Sequence, residues 1–284
     1  MSRIAIITDT DASLPLELAG AHAIVQVPIV VQFGEESYRD VYDLDSAATF
    51  ARIDREDQLP TTAAPSPGDF RAAYQSAFDG GAERVLCFTV SAEVSATYAA
   101  AVSARGLLPE RDITVCDTRS LSMGQGLMVL AAARAVADGA SVEEAMEVAL
   151  DTGDRTHLFA ALPTLKYLAM SGRVGHLVAG MATLLDVKPV LTIREGKLDL
   201  LERVRTLKRS WERVVALCVE AVGGHSIEGF ATVHANAEEE ARQLEGLLRE
   251  ALEVPVEIIH AGLNPGLAVH SGAGMVGAAF TVGK

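Results

Sequence analysis

Residues 84–101, RVLCFTVSAEVSATYAAA, decide the fold of this chain. The run from Val85 to Val90 is apolar and rich in β-branched residues, which is typical of a strand buried on both faces of a parallel sheet. A polar turn follows, and the alanines after Tyr98 predict a helix. The stretch therefore predicts a strand, a loop and a helix. Ser95 lies where the helix starts, at the sheet edge where open α/β folds bind ligands.

Ser95 has two interpretations at that position. Its hydroxyl and the neighbouring backbone N–H groups can bind an anion. The same hydroxyl can instead cap the helix and do nothing more. The choice depends on the residues that accompany Ser95 elsewhere in the chain.

The alternation of strands and helices continues on both sides of this stretch. Strands are predicted at residues 3–8, at 24–33 and at 113–116, with a core helix at 122–137. In the second of these strands, Pro28 suggests an edge position or a local break in pairing. After residue 153 a tight turn at Glu195-Gly196-Lys197 predicts a hairpin, with further strands at 227–234, 256–260 and 267–269 and a helix at 177–185. These patterns predict two α/β domains, residues 1–155 and 156–284.

The composition limits the classes of function. The 284 residues are 49% hydrophobic, and the formal net charge of −14 argues against a nucleic-acid partner, because phosphate binding needs a basic face. No apolar run is long enough for a membrane span, residues 1–9 are too short and too acidic for a signal peptide, and a cytoplasmic location is therefore expected. The three cysteines are far apart in apolar patterns and are predicted to be buried, reduced thiols.

Asp9 and Asp11 follow the first predicted strand in the sequence TDTDASL, residues 8–14. An apolar strand followed by two aspartates in this spacing also begins phosphatases of the haloacid dehalogenase type, in which the first aspartate is the nucleophile. That alternative requires a lysine and paired acids downstream, and Lys166, Lys188 and the acids near residue 151 lie in unsuitable contexts. The plainer interpretation is that the aspartates shape the turn.

Five stretches in a fixed order carry a resemblance to a known family. They are TDTDASL at 8–14, TTAAPS at 61–66, VSAEVSATYAAA at 90–101, LKYLAMSGRV at 165–174 with DVKPVL at 186–191, and VHSGAG at 269–274. The chain resembles the DegV family over nearly its whole length. These bacterial fatty acid-binding proteins serve as the B subunit of fatty acid kinase.

The resemblance implies a two-domain α/β fold with an N-terminal three-layer α/β/α parallel sheet and a C-terminal domain with a mixed sheet. It also implies a long-chain fatty acid between the domains. Its motifs place the carboxylate on Thr62 and Ser95, with Thr61, Arg173 and His270 at the ligand or facing the kinase. For Arg173, capping a helix end or pairing with an acid stays open, and for His270, bracing the glycine turn stays open.

The sequence departs from the family motifs at a few positions. Ala63 and Ala64 replace a serine and a glutamine, Ala96 replaces a glycine after the serine, and Ala273 replaces a proline in the last turn. Apolar residues near the second-domain motifs are candidates for lining an acyl tunnel, with ordinary core packing as the alternative: Leu165, Leu168, Met181 and Leu184.

The implied function is a carrier without catalysis, cofactor or metal. It presents the fatty acid carboxylate to a separate ATP-dependent kinase that makes the acyl phosphate. Transient contact with a membrane stays open. Binding of a nucleotide or another small anion at the Ser95 loop is a third reading, although the glycine pattern of dinucleotide sites is absent after the first strand.

Overall fold

The computed structural model describes residues 3–172 and 187–284. A four-stranded sheet comes from the first part of the chain, with β1 (Ile4–Asp9), β2 (Ile24–Val27), β6 (Arg84–Thr89) and β7 (Asp112–Asp117) in the order β2-β1-β6-β7. All three strand pairs are parallel. The strand predicted from residues 84–90 therefore lies in the interior of a parallel sheet, as its apolar run indicates.

Helices cover both faces of this sheet. On one face, α3 (Pro67–Asp79) and α4 (Thr97–Gly106) pack against alternate strand residues such as Ile7 and Val85. On the other face, α5 (Ser122–Ala137) and α6 (Val142–Asp154) pack against Leu86 and its neighbours. The predicted three-layer arrangement is confirmed.

A second, mixed sheet comes from the latter part of the chain, in the order β10-β9-β8-β13-β11-β12. Its strands are β8 (Thr156–Ala161), β9 (Lys188–Arg194), β10 (Lys197–Val204), β11 (Ile227–Ala235), β12 (Ile258–Gly262) and β13 (Met275–Val282). The predicted hairpin joins β9 to β10 through Glu195 and Gly196, whose φ angles are both positive, at 50° and 81°.

Two long helices, α8 (Leu207–Val222) and α9 (Glu238–Ala251), cover the outer face of the second sheet. The inner face turns towards α5, which contacts strands of both sheets. One hydrophobic core thus runs from Leu86 of the first sheet through Met128 of α5 to Leu158 and Val233 of the second. The fold has two α/β domains, and the predicted boundary between residues 155 and 156, which falls between α6 and β8, stays a prediction.

A small third sheet corrects one prediction. The stretch 24–33 is not one strand, because β2 ends at Val27 and β3 (Val30–Phe33) belongs to a separate three-stranded sheet with β4 (Glu36–Arg39) and β5 (Thr61–Ala63). Pro28 lies between them. Its lack of an N–H group and its effect on the preceding residue end the first pairing, and the chain turns into the other sheet.

The end of the chain corrects a second prediction. Residues 267–269 are not a strand but lie within α10 (Pro265–Ser271). Asn264 and Pro265 form a helix start, with proline at the first helical position, where a missing N–H costs nothing. The last strand is β13 instead, which the glycine-rich stretch after His270 concealed.

The remaining elements are short helices at the surface or beside the core: α1 (Leu16–Ala21), α2 (Ser46–Glu56) and α7 (Lys166–Ser171). The helix predicted at 177–185 lies outside the described residues. Cys87, Cys116 and Cys218 are buried and unbridged, as predicted, and burial raises the pKa of each thiol. Within residues 3–172 and 187–284, no helix is both long and apolar enough to cross a bilayer.

Candidate functional site

Thr62 lies on β5, the short strand formed by the proline-containing segment beside β3. In the register of this pair Thr62 is opposite Val31. Side chains alternate between the two faces of a strand, so Thr61 and Thr62 point in opposite directions. Thr62 is half-buried and lines a cavity, whereas Thr61 is exposed and is not among the residues that line it.

Ser95 lies at the end of the loop that follows β6. Two hydrogen bonds fix this loop. At its start the Val90 N–H donates to the Asp9 carboxylate at 2.7 Å, and within the loop the Ser95 N–H donates to Ser91 O at 3.2 Å. The Ser95 hydroxyl accepts from the Thr97 N–H at 3.3 Å and lies 2.8 Å from Thr97 Oγ1. It therefore covers a backbone donor of α4, and Ser95 also lines the cavity. The capping and the binding interpretations are compatible.

His270 comes to the same cavity from α10. Its Nε2 lies 2.8 Å from Thr62 Oγ1. Gly272, just past the helix end, has a φ of 78°, and a Cβ there would lie 2.4 Å from the Tyr167 ring. When Nε2 carries the proton, His270 donates to Thr62 Oγ1, and Thr62 can then donate its own proton to a ligand atom.

Thr62, Ser95 and His270 thus line one cavity, which we call the polar mouth. Two of these residues are hydroxyl donors, and the third carries a ring nitrogen. The other lining residues are Asp11, Ile29, Ala63, Ala64, Val94, Leu121, Leu168, Leu198, Gly266 and Leu267. The arrangement can hydrogen-bond a small anionic group beside an apolar wall.

A second cavity adjoins the polar mouth, and we call it the apolar chamber. Its walls are mainly leucines from α7, α10, the second sheet and the loops beside them. The residues lining it are Leu121, Ser122, Leu158, Ala160, Leu162, Leu168, Leu191, Leu198, Val233, Leu263, Leu267, His270, Ser271 and Met275. Five of them also line the polar mouth: Leu121, Leu168, Leu198, Leu267 and His270. The mouth and the chamber are therefore adjacent, one with polar groups in its lining and the other almost wholly apolar.

Buried carboxyls lie at the polar mouth and beneath it: Asp11 lines the mouth, and Asp9 and Asp40 are enclosed next to it. Asp40 accepts from Thr10 Oγ1 at 2.6 Å, from the Gly266 N–H at 3.3 Å and from Asn264 Nδ2. Asn264 Nδ2 also donates to Asp11 Oδ1 at 2.9 Å. These bonds tie the turn after β1 to the start of α10, the helix that carries His270.

Burial raises the pKa of two of these carboxyls. The Asp9 carboxyl is fully enclosed, and its pKa rises to about 7, although hydrogen bonds from Val90 and Gln125 act in the opposite direction. The pKa of Asp40 rises to about 6 for the same reason. A carboxyl with such a pKa is protonated for part of the time near neutrality, which reduces the negative charge beneath the mouth.

Asp40 and Asn264 were missed from the sequence. The sequence Asn264-Pro265-Gly266 indicates a turn and the start of a helix. It does not indicate that Asn264 donates to Asp11 and Asp40. The residues around Asp40 form a pattern that is typical of an exposed acid. Its burial depends on the tertiary structure and cannot be predicted from these neighbours.

The other predicted residues have different outcomes. Arg173 lies outside the described residues, as do Met181 and Leu184. Leu168 lines both the mouth and the chamber, whereas Leu165 is fully buried in the core and lines neither.

The geometry does not favour the phosphatase alternative. The Asp9 carboxylate accepts from the N–H groups of Asp11 and Val90 at 3.0 and 2.7 Å and from Gln125 at 3.2 Å, and it has no exposed surface from which to attack a substrate. Lys188 Nζ donates to Pro163 O, away from the aspartates. Among the residues that the structure describes, no group of three or more acids, histidines and cysteines could hold a metal ion.

Comparison with known proteins places the chain among relatives that share both its length and its fold. The family model DegV, described as "Uncharacterised protein, DegV family", matches residues 3–282. A DegV domain-containing protein of Halalkalibacterium halodurans is 30% identical over 285 aligned positions, which cover 100% of both chains. Another, from Mycobacterium tuberculosis, is 32% identical over 99% of this chain and 98% of its own.

Two solved structures are similar over their whole length. One is a DegV family protein from Thermus thermophilus described by its fatty acid binding, with 30% identity, 99% coverage of both chains and a TM-score of 0.90. The other is DegV from Bacillus subtilis, described as a fatty acid-binding protein, with 27% identity, 100% coverage of both chains and a TM-score of 0.90.

Proposed function

This chain belongs to the DegV family, and from that membership and the shape of its site we propose that it binds a long-chain fatty acid. The carboxylate lies in the polar mouth, bound by Thr62 and Ser95 with His270 behind Thr62. The acyl chain fills the apolar chamber. The similar proteins of Thermus thermophilus and Bacillus subtilis are both described as fatty acid-binding, which supports the same ligand class here.

One observation carries this proposal, namely that the polar mouth lies directly beside the apolar chamber. Five residues line both cavities, so a head group in the mouth is next to the space for a hydrocarbon chain. A nucleotide or a small polar anion would use the mouth but leave the leucine-lined space without contacts. An amphiphile with one acidic end and a long hydrocarbon chain uses both parts.

The energetics agree with such a ligand. Burying an ionised carboxylate without partners is very costly, and each hydrogen bond to a charged group recovers about 1.5–3 kcal/mol. The hydroxyls of Thr62 and Ser95 supply two such bonds. Each methylene group buried in the chamber adds about 0.8 kcal/mol, so the hydrocarbon chain provides most of the affinity.

The carrier role follows from what the site offers a reaction. In the described part of the chain, the Thr62 hydroxyl lies against His270, whereas the Ser95 hydroxyl lies against Thr97. We therefore propose that the chain is a non-catalytic subunit. A separate ATP-dependent kinase would phosphorylate the carboxylate while it is held in the mouth.

Extraction of the purified protein tests the ligand class. The protein is denatured, extracted with organic solvent, and the extract is examined by mass spectrometry for long-chain fatty acids at close to one molecule per chain. A variant carrying both Thr62→Val and Ser95→Ala, purified in parallel, should retain much less. An extract without fatty acid, together with failure of the delipidated protein to bind added stearic acid, would refute the proposal.

The kinase step has its own test. Delipidated protein is loaded with radiolabelled fatty acid and incubated with Mg-ATP, with and without a candidate kinase subunit. Acyl phosphate should form only when both proteins are present. Formation by this chain alone would show that it is catalytic, and hydrolysis of a phosphate ester with added Mg²⁺ would favour the phosphatase alternative.

A further inference from the structure

Ser91 lies at the start of the loop that carries Ser95, and the fatty acid proposal gives it no role. It is fully buried, yet it lines neither the polar mouth nor the apolar chamber. Its hydroxyl donates to Gly196 O at 2.7 Å, in the turn of the β9–β10 hairpin, across 105 positions of sequence. This bond therefore joins the loop after β6 to the second sheet.

The other polar atoms of Ser91 hold the loop itself. Its carbonyl oxygen accepts from the N–H groups of Val94 and Ser95 at 3.1 and 3.2 Å, and its hydroxyl oxygen accepts from the Glu93 N–H at 3.3 Å. Its own N–H donates to Ser120 O at 2.8 Å. Val94 and Ser95 both line the polar mouth. A displacement of Ser91 would therefore also displace the Ser95 hydroxyl.

The hairpin turn is shaped for this contact. Gly196 is buried and has a φ of 81°, and a Cβ there would lie 2.6 Å from Ser91 Oγ, so a larger residue would push the turn away from the loop. The loop after β7 holds the same turn, because Arg119 Nη2 donates to Glu195 O at 2.8 Å. Two successive carbonyl groups of the turn are thus bound to the end of the first sheet.

We propose that Ser91 is a positioning residue for fatty acid binding, which holds the Ser95 hydroxyl at the polar mouth by tying its loop to the hairpin turn. This inference rests on the proposed fatty acid function and concerns a residue that does not touch the ligand. A hydrogen bond weakens steeply when its angle is poor, so the place of the Ser95 hydroxyl matters to a carboxylate. Bonds within the loop let it move as a unit, whereas the bond to Gly196 fixes it to a sheet.

A double-mutant cycle on stearic acid binding to the delipidated protein tests this role. Ser91→Ala should raise the Kd about two- to tenfold in the wild-type background, the range of one neutral hydrogen bond. In a Ser95→Ala background the same substitution should change the Kd by less than about twofold, because the hydroxyl that it positions is absent. A purely structural role of Ser91 would give the same factor in both backgrounds.

Thr192→Val is the matched control. Thr192 lies on β9 of the same hairpin, is buried, lines neither cavity, and donates from its hydroxyl to Leu158 O at 2.7 Å. The variant loses the same kind of bond as Ser91→Ala without touching the Ser95 loop. Urea unfolding should show that both variants are less stable than wild type, whereas the Kd of Thr192→Val should stay within about twofold of wild type.

The outcomes separate this inference from the fatty acid function. If wild type binds stearic acid but Ser91→Ala leaves the Kd unchanged, or changes it equally in both backgrounds, the positioning role is refuted and fatty acid binding stands. An unchanged Kd in Ser95→Ala alone would also refute it, since there would be no bond to position. If Ser91→Ala does not fold, Arg119→Met removes the exposed anchor at Glu195 O and takes its place in the cycle, with the same expected pattern. If wild type does not bind stearic acid, both proposals fail.

Discussion

Thr62 Oγ1 and His270 Nε2 lie 2.8 Å apart although 208 residues separate them in the sequence. Thr62 is on a strand of the small third sheet, and His270 is on α10, between strands β12 and β13 of the second sheet. The contact therefore joins the third sheet to the second. When Nε2 carries the proton, His270 donates to Thr62 Oγ1, and the hydroxyl proton of Thr62 is then available for another acceptor.

Thr62→Val should weaken fatty acid binding. The substitution conserves the shape of the side chain but removes the hydroxyl that we assign to the carboxylate. A hydrogen bond to a charged group is worth about 1.5–3 kcal/mol, so the Kd should rise roughly ten- to 150-fold. Displacement of a fluorescent fatty acid from the delipidated protein measures this Kd.

Thr61→Val is the matched control for this change. It alters the adjacent residue of the same strand, which is exposed and points the opposite way, so its Kd should stay within about twofold of wild type. Equal loss in both variants would mean that the effect comes from the strand and not from the hydroxyl.

Ser95→Ala should also raise the Kd, by a similar factor, because it removes the second hydroxyl of the polar mouth. Some of the change will appear as lower stability, since Ser95 Oγ also accepts from the Thr97 N–H. Ser103→Ala is a suitable control, because this exposed serine on α4 donates to Ala99 O and is far from the mouth. Calorimetric titration with fatty acid at one temperature should show a defect only for Ser95→Ala, and unchanged binding would remove Ser95 from the site.

The sequence predicted most of the parallel sheet. Strand β6 follows from the rule that a strand buried on both faces must be continuously apolar. Thr62, Ser95 and His270 came from the short motifs that carry the family resemblance; the three residues line one cavity, and their role towards a ligand stays a prediction. Such short sequence patterns can be recognised without the tertiary structure, because each depends on only a few neighbouring residues.

The rest depended on the tertiary structure. Residues 267–269 are apolar and short, and such a run fits a strand or a helix until the neighbouring elements decide. Asp40 became a buried acid only because the start of α10 covers it.

Leu198→Trp should shorten the ligand that the site accepts. Leu198 lies on β10 and lines both the mouth and the chamber, so an indole ring there obstructs the passage between them. Each methylene group excluded should reduce affinity about fourfold, so long-chain acids should lose far more affinity than octanoic acid. The Kd values of wild type and Leu198→Trp for a series of fatty acids of increasing chain length measure this loss of affinity.

Leu201→Trp is the control on the same strand. Leu201 packs in the outer core against α8 and lines neither cavity. It should cost stability without changing the preference for chain length. An unaltered preference in Leu198→Trp would mean that the acyl chain does not pass Leu198.

Gly272→Ala should destabilise the fold by about 2–4 kcal/mol. Its φ of 78° strains any residue with a Cβ, and the new methyl group would meet the Tyr167 ring at 2.4 Å. Gly224→Ala isolates the first effect, because Gly224 has a φ of 88° and open space around it, and this change should cost about 1–2 kcal/mol. Urea unfolding measures both, and equal losses would show that the contact with Tyr167 relaxes without cost.

Asp40 should make folding stability depend on pH. Its pKa is about 6 in the folded protein because of burial, against about 3.9 in an unfolded chain. Between these values the folded protein keeps a proton that the unfolded chain has lost, so unfolding releases a proton and stability falls as pH rises. The contribution of one such group changes by at most about 1.4 kcal/mol per pH unit and levels off above about pH 7.

The difference in unfolding free energy between wild type and Asp40→Asn measures this contribution, together with the part of the Asp9 pKa shift that the Asp40 charge causes. His157 and His234 have pKa values lowered by burial, which makes stability rise with pH, and the subtraction removes their effect. From pH 5 to 7 the unfolding free energy of wild type should fall relative to that of Asp40→Asn. Asp43→Asn is the control, because hydrogen bonds from Arg39 lower the pKa of Asp43 to about 2, so its difference should be flat over the same range. A flat difference for Asp40→Asn as well would mean that Asp40 stays ionised beneath the mouth, which would then repel a fatty acid carboxylate at every pH at which the acid is ionised.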